Sequence, residues 1–278
     1  MFYIKTEVKM TIINTRYETG LKNLNIIDKE AGQQVVDSLN DISPDLVKYI
    51  IEYAFGDIYN RSELALPNKE LCVVAALTAM GNATPQLKVH IHGALNVGCN
   101  IAELQEVILQ MSAYAGFPSA INGMLALKEI VAERHLTGKK DPLGTTQTSK
   151  IPNSVSRYEF GAQHLAKLQA DQVENLEQTF KSISPDMARF VIEYGFADIF
   201  SRPALDFKRR EMATISALTA IGTAPSQLKF HIKAALNMGV SQVDITEIML
   251  LISVYAGFPA SINSTLALKE VVNEQVNP

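Results

Sequence analysis

A long internal repeat constrains the fold of this chain more than any other feature. The stretch Gln86-Leu87-Lys88-Val89-His90-Ile91 returns as Gln227-Leu228-Lys229-Phe230-His231-Ile232, so that His90 and His231 stand 141 positions apart. The same offset holds without a gap from Arg16-Tyr17-Glu18 against Arg157-Tyr158-Glu159 to Leu125-Ala126-Leu127-Lys128-Glu129 against Leu266-Ala267-Leu268-Lys269-Glu270. Solenoid repeats have periods of roughly 20–50 residues, so a unit this long is a whole domain. About half of the positions from Glu70 to Glu129 are identical between copies, whereas Leu21 to Asp41 has diverged almost completely. The chain therefore reads as an N-terminal extension (1–15), a first domain (16–136), a linker (137–156) and a second domain (157–278). The linker is rich in Gly, Pro, Ser, Thr and Lys, which predicts an exposed connection.

Within each copy the apolar spacing is helical. No segment sustains the alternation of a half-buried strand, so the fold class is all-α, two helical domains in tandem. Ser43-Pro44-Asp45 and Ser184-Pro185-Asp186 read as helix starts with a capping hydroxyl and proline at the first position. The helix after Ser43 should run to about Ile58 with a stripe of Leu46, Tyr49, Ile50, Tyr53 and Ile58. Next come a helix from Glu70 to Met80 closed by Gly81 and a histidine helix from Pro85 to Val97 closed by Gly98. Asn100 to Glu103 and Ser241 to Asp244 read as capping arrangements that open the following helix. Gly116-Phe117-Pro118 divides that helix from the last one, Ser119 to about Arg134.

Composition excludes several functions. Hydrophobic residues make up 47% of the 278, enough for one large core or two modest ones. A formal net charge of −4 with scattered lysines gives no footprint for nucleic acid. The N-terminus is too broken by charge for a signal-peptide core, and no later apolar run suggests a membrane span, so the expected location is cytoplasmic. Met10 is a second possible start. Cys72 and Cys99 face Ala213 and Val240 in the other copy, which suggests buried small hydrophobes and neither a disulfide framework nor a metal site.

His90 shares a helix face with Leu87, Ile91, Ala94 and Val97, and His231 has the same company. A ring on an apolar face must find a partner or stay neutral, so each is either a hydrogen-bonded core residue or an acid/base group. Glu70 lies on the stripe of Val73, Val74 and Leu77, as Glu211 does on that of Thr214, Ile215 and Leu218. Either carboxylate can orient its histidine or serve as a first-turn charge on the helix dipole. Gln86 and Gln227, one turn ahead of the histidines, suit a polar substrate group or the surface. Arg61 and Arg202 suit a substrate carboxylate or a helix end. Tyr114 and Tyr255 stand before Gly-Phe-Pro turns whose backbone amides can receive an anion, or they pack in the core. Glu106 and Glu247 read as solvated or capping; His92, His135 and His164 have no counterpart histidine. No metal-ligand cluster, phosphate loop, nucleotide fingerprint or nucleophile elbow occurs, so no cofactor is expected.

Lys69-Glu70-Leu71, Ala76-Leu77-Thr78-Ala79-Met80-Gly81, Gln86 to His90, Gly93 to Gly98 and Tyr114-Ala115-Gly116-Phe117-Pro118, with their second-copy counterparts, resemble the carboxymuconolactone decarboxylase family. The resemblance covers most of both copies. It implies the helical alkylhydroperoxidase D-like fold, assembly as ring-like trimers or hexamers, and sites near subunit contacts; two fused copies then form a homotrimer that mimics a hexamer of single domains. The peroxidases of this superfamily use Cys-x-x-Cys before the histidine, where this chain has Ala83 and Gln86, then Ala224 and Gln227. Without thiols the peroxiredoxin-like alternative lacks its nucleophile. The resemblance instead implies a cofactor-independent carboxy-lyase acting on a small carboxylated lactone of the 4-carboxymuconolactone type. His90 or His231 then delivers a proton, Glu70 or Glu211 orients it, and Arg61 or Arg202 holds a carboxylate. A non-catalytic oligomeric binding protein is the remaining alternative.

Overall fold

The computed structural model describes residues 15–145 and 148–276; all of the N-terminal extension before Thr15, including Met10, lies outside them. The described residues form helices and connections with no strand. The first copy contains α1 (Thr15–Leu39), α2 (Pro44–Tyr49), α3 (Leu66–Met80), α4 (Thr84–Asn96), α5 (Ile101–Tyr114) and α6 (Phe117–Leu136). The second contains α7 (Arg157–Leu168), α8 (Gln172–Phe180), α9 (Pro185–Phe190), α10 (Phe207–Ile221), α11 (Pro225–Asn237) and α12 (Gln242–Val276). α1 breaks at Asp28 (φ −156°, ψ 100°), and the equivalent Gln169 ends α7 in nearly the same conformation (φ −154°, ψ 120°). The most diverged segment of the repeat thus keeps its shape.

Neither α2 nor α9 continues as an α-helix. Each passes into a π-helix, Ile50–Ile58 and Val191–Phe200. The inward face differs from the expected stripe: Leu46 and Tyr49 are exposed, while Val47, Ile51, Ala54, Phe55 and Ile58, spaced as on one face of a helix, are buried. The opening helix of each copy lies against this segment at backbone distance. A Cβ on Gly20 would stand 2.0 Å from the Ile51 carbonyl oxygen, and one on Gly161 would stand 2.2 Å from that of Ile192. Only glycine permits that approach. The expected side-chain caps at Ser43 and Ser184 do not form, since neither hydroxyl bonds its helix. Those at Asn100 and Ser241 do, with reciprocal bonds to Glu103 and Asp244.

α3 and α10 pack against each other at the centre, with α5 and α12 alongside. Every residue from Lys69 to Ala79 is buried, as is every one from Arg210 to Thr219. A helix enclosed on all sides needs no polar face, which accounts for the alanines at 75, 76 and 79. The copies share one main hydrophobic core running from Leu24 to Val271; a smaller cluster lies beneath α7 and the second π-helix.

α12 corrects the expectation about membrane spans. By length and composition Gln242–Gln275 is sufficient to cross a membrane. Its backbone, however, breaks at Gly257 (φ 83°, ψ 167°), just before Pro259, at the position where Gly116 separates α5 from α6. Several of its residues, Ile245, Ile248 and Ile252 among them, lie in the core. The linker is mostly exposed but not detached, because Ile101 and Ala102 donate their amides to the carbonyls of Pro142 and Leu143.

Candidate active site

α3 begins at Leu66 and α10 at Phe207, about a turn earlier than the sequence suggests, so Glu70 and Glu211 stand beyond the first turn. The helix-dipole reading therefore loses its basis. Both carboxylates are fully buried, and each meets a histidine from the next helix. His90 Nδ1 lies 2.9 Å from Glu70 Oε2, and His231 Nδ1 lies 2.8 Å from Glu211 Oε2. The imidazoles are 5% and 4% exposed, so each couple works in a nearly dry setting that strengthens its hydrogen bonds.

The other ring nitrogen is met from the opposite copy. Tyr255, in α12, brings its hydroxyl to 3.0 Å from His90 Nε2, and Tyr114, at the end of α5, brings its own to 3.1 Å from His231 Nε2. Each tyrosine stands edge-on to its histidine. Burial pushes both phenols well above their ordinary pKa, so they stay protonated donors at neutral pH. The sites are thus exchanged across the centre of the molecule: each copy supplies the glutamate and histidine of one and the tyrosine of the other. A second crossed contact reinforces the arrangement, because Tyr53 bonds Ser253 and Tyr194 bonds Ser112, both at 2.6 Å.

One residue that sequence reasoning passed over differs between sites. Tyr59 follows the first π-helix, donates to Glu70 Oε1 at 2.8 Å and lies 2.9 Å from the Tyr255 hydroxyl. Glu70, His90, Tyr255 and Tyr59 form a closed ring of four hydrogen bonds. Four bonds need four protons, and the two phenols with a neutral imidazole carry three, so closing the ring takes one further proton on the Glu70–His90 couple. The equivalent of Tyr59 is Phe200, and Glu211 Oε1 is buried without a partner. Aligning the copies would have exposed this difference, but nothing local marks it as part of the site.

Arg61 and Arg202 do bind carboxylates, but those of the protein itself. Arg61 grips Glu247 through Nε (2.8 Å and 3.0 Å) and Nη2 (2.6 Å), and Arg202 grips Glu106 through Nε (2.8 Å and 2.9 Å) and Nη2 (2.7 Å). Glu106 and Glu247, expected to be solvated or capping, are 1% and 4% exposed. Sequence reading could not see that these arginines face the other copy. Glu106 also pairs with the buried Arg210 at 2.8 Å, and Arg210 reaches Gln110 Oε1 at 3.0 Å. The equivalent Lys69 instead donates to the carbonyls of Ile58, Tyr59 and Arg61. Gln86 and Gln227 are exposed, one turn ahead of the histidines. A cleft of about 230 Å³ opens beside Tyr59 and Arg61.

The cysteines belong to the core. Burial pushes the thiols of Cys72 and Cys99 up to about 12, so neither offers a thiolate at neutral pH. His92 and His164 lie outside both sites, near Arg134 and the Phe160 carbonyl respectively.

A helical pair of domains with a buried glutamate–histidine couple in each half defines a class of duplicated, site-sharing proteins. The carboxymuconolactone decarboxylase family profile matches residues 44–129 and again 185–270, and the chain belongs to that family. It is 28% identical over 126 residues to a 4-carboxymuconolactone decarboxylase of Acinetobacter baylyi, an alignment covering 45% of this chain and 93% of that protein. It is also 28% identical over 111 residues to a nitrosuccinic acid decarboxylase of Metarhizium robertsii, covering 40% and 76%. A solved structure from Burkholderia xenovorans, described as a candidate gamma-carboxymuconolactone decarboxylase subunit, superposes with a TM-score of 0.54 at 22% identity. That match covers 94% of this chain and 98% of the other, and it shows the shared fold. Family membership and the named relatives support a decarboxylase-like or alkylhydroperoxidase D-like function.

Proposed function

We propose that the protein is a cofactor-independent carboxy-lyase acting on a small carboxylated lactone of the 4-carboxymuconolactone type, or on a related unsaturated acid. One observation carries this reading: a histidine held between a buried glutamate and a phenol, built twice from matching positions. In such a substrate the leaving carboxylate is adjacent to a double bond conjugated with the lactone carbonyl. Loss of carbon dioxide leaves its electron pair delocalised as a dienolate, so the substrate contains its own electron sink. The protein must stabilise the developing oxyanion and return one proton to ring carbon. His90 or His231 is suited to proton delivery from Nε2, with Glu70 or Glu211 fixing the ring through Nδ1. Tyr255 and Tyr114, which keep their protons, are suited to donate to the oxyanion. Arg61 and Arg202 are held by Glu247 and Glu106, so substrate carboxylates would fall to other groups or require those pairs to open.

The peroxide-reducing alternative is disfavoured by the buried, protonated thiols. Incubation with 4-carboxymuconolactone, following loss of substrate in the wild type, His90→Ala, His231→Ala and the double variant, tests the proposal. Turnover by the wild type and its loss in the double variant are expected; no turnover by the wild type rejects this substrate, and full activity in the double variant rejects the histidine role.

The proposal extends to assembly as a homotrimer in which each chain counts as two units, located in the cytoplasm without nucleic-acid or membrane partners. The support for assembly is a set of large apolar residues exposed at matching positions in both copies: Tyr49 and Phe190, Phe117 and Phe258, Ile121 and Ile262, among others. A paired substitution, Ile121→Glu with Ile262→Glu, should lower the mass seen by sedimentation to that of one chain.

A further inference from the structure

We infer that the two sites of one chain are not equivalent: the His231 site holds an opening for one O–H donor between Glu211 Oε1 and the Tyr114 hydroxyl, filled by water in the resting protein. The His90 site has Tyr59 in that place. The identity of the open site rests on the position of Phe200. Its ring lies 6.3 Å from that of His231 at an interplanar angle of 28°, much as the Tyr59 ring lies 6.5 Å from that of His90 at 23°. The second site therefore keeps the aromatic wall and lacks the hydroxyl that reaches the glutamate.

One acceptor loses its partner through that change. Tyr59 bonds both Glu70 Oε1 and the Tyr255 hydroxyl; opposite Phe200, Glu211 Oε1 has no partner in the protein, while Tyr114 bonds His231 and also Thr214, where the first copy has Val73. A buried carboxylate oxygen without a donor is costly, and a water needs two or more polar partners to reside in a protein interior. Both requirements meet at this point. The consequence for chemistry, which rests on the decarboxylase reading, is a division of labour. Freeing His90 Nε2 means opening a ring in which each member holds two others. Freeing His231 Nε2 breaks one bond, and the displaced phenol can turn to the water beside it. The His231 site is accordingly the one that exchanges protons readily with a bound ligand, and Tyr59 is a positioning residue that keeps its counterpart closed.

The test uses the full chain and the reciprocal variants Phe200→Tyr and Tyr59→Phe. In crystal structures, the wild type should show an ordered oxygen within about 3.2 Å of Glu211 Oε1, absent in Phe200→Tyr and newly present near Glu70 in Tyr59→Phe. Phe200→Tyr should raise the melting temperature by about 2–4 °C and Tyr59→Phe should lower it comparably. A protein group bonded to Glu211 Oε1 in the wild type, or an unchanged oxygen in Phe200→Tyr, overturns the opening. With 4-carboxymuconolactone as substrate, His231→Ala should lose at least about tenfold more activity than His90→Ala, and Phe200→Tyr added to His90→Ala should lower kcat about tenfold again. Equal losses from the two histidine variants overturn the division of labour. If the wild type turns over no lactone, the decarboxylase reading has failed, while crystallography and melting still decide whether the opening exists.

Discussion

At the residue scale the site depends on groups that a linear reading treats as strangers. Tyr255 is 165 positions from His90 yet touches its Nε2. Replacing Tyr255 with Phe should depress turnover at the His90 site about tenfold and leave the His231 site unchanged, measured with the other histidine already substituted by Ala. Tyr114→Phe should do the reverse. The cysteines give a second prediction: with both thiols pushed up to about 12, neither should react with an alkylating reagent at pH 7.5 in the folded protein, and both should react once it is denatured. Mass spectrometry of the labelled chain reads the difference.

The glutamate–histidine couples were the most legible part of the site. Helical spacing placed all four residues on inward faces, and duplication showed that the pattern was no accident. The arginines were misread because a side chain near a helix end shows its sequence neighbours but not the carboxylate across the molecule. Tyr59 was missed for a related reason: its importance lies in the contrast with Phe200, and neither residue is unusual alone.

At the scale of elements, buried polar networks tie α5 and α10 together. Glu106 neutralises both Arg202 and Arg210, the latter wholly inaccessible. Glu106→Ala should therefore cost about 3–5 kcal/mol in denaturant unfolding, since it strands a buried guanidinium. Where α6 ends, Arg134 grips Asp141 of the linker at 2.8 Å and 2.6 Å. Chiefly through that bond, the guanidinium holds the Asp141 carboxyl below its usual range. A depressed carboxyl contributes stability that is present above about pH 4, near the unfolded value, and is lost as pH falls through the folded one. Asp141→Asn should flatten the acid limb of the stability profile and leave the alkaline limb alone. Helix order and most boundaries were legible from glycine stops, prolines and apolar spacing. The π-helices were not, because a wider turn leaves no mark on composition; and in a segment apolar on two sides the spacing alone assigned Leu46 and Tyr49 to the wrong face.

At the scale of the whole molecule, the linker joins two units that hold one core between them. α3 and α10 are each buried from nearly every side only because the other is present. A separately produced first copy, ending near residue 136, should not persist as a soluble monomer. It should pair with itself through α3 or aggregate, as size-exclusion chromatography would show.

The exchanged tyrosines also determine how damage to the gene combines. Losses at His90 and Tyr255 fall on the same site and leave the second intact, although the residues belong to different halves of the chain. Losses at His90 and Tyr114, both in the first half, touch both sites, because Tyr114 bonds His231. Neither half is therefore a spare copy of the other.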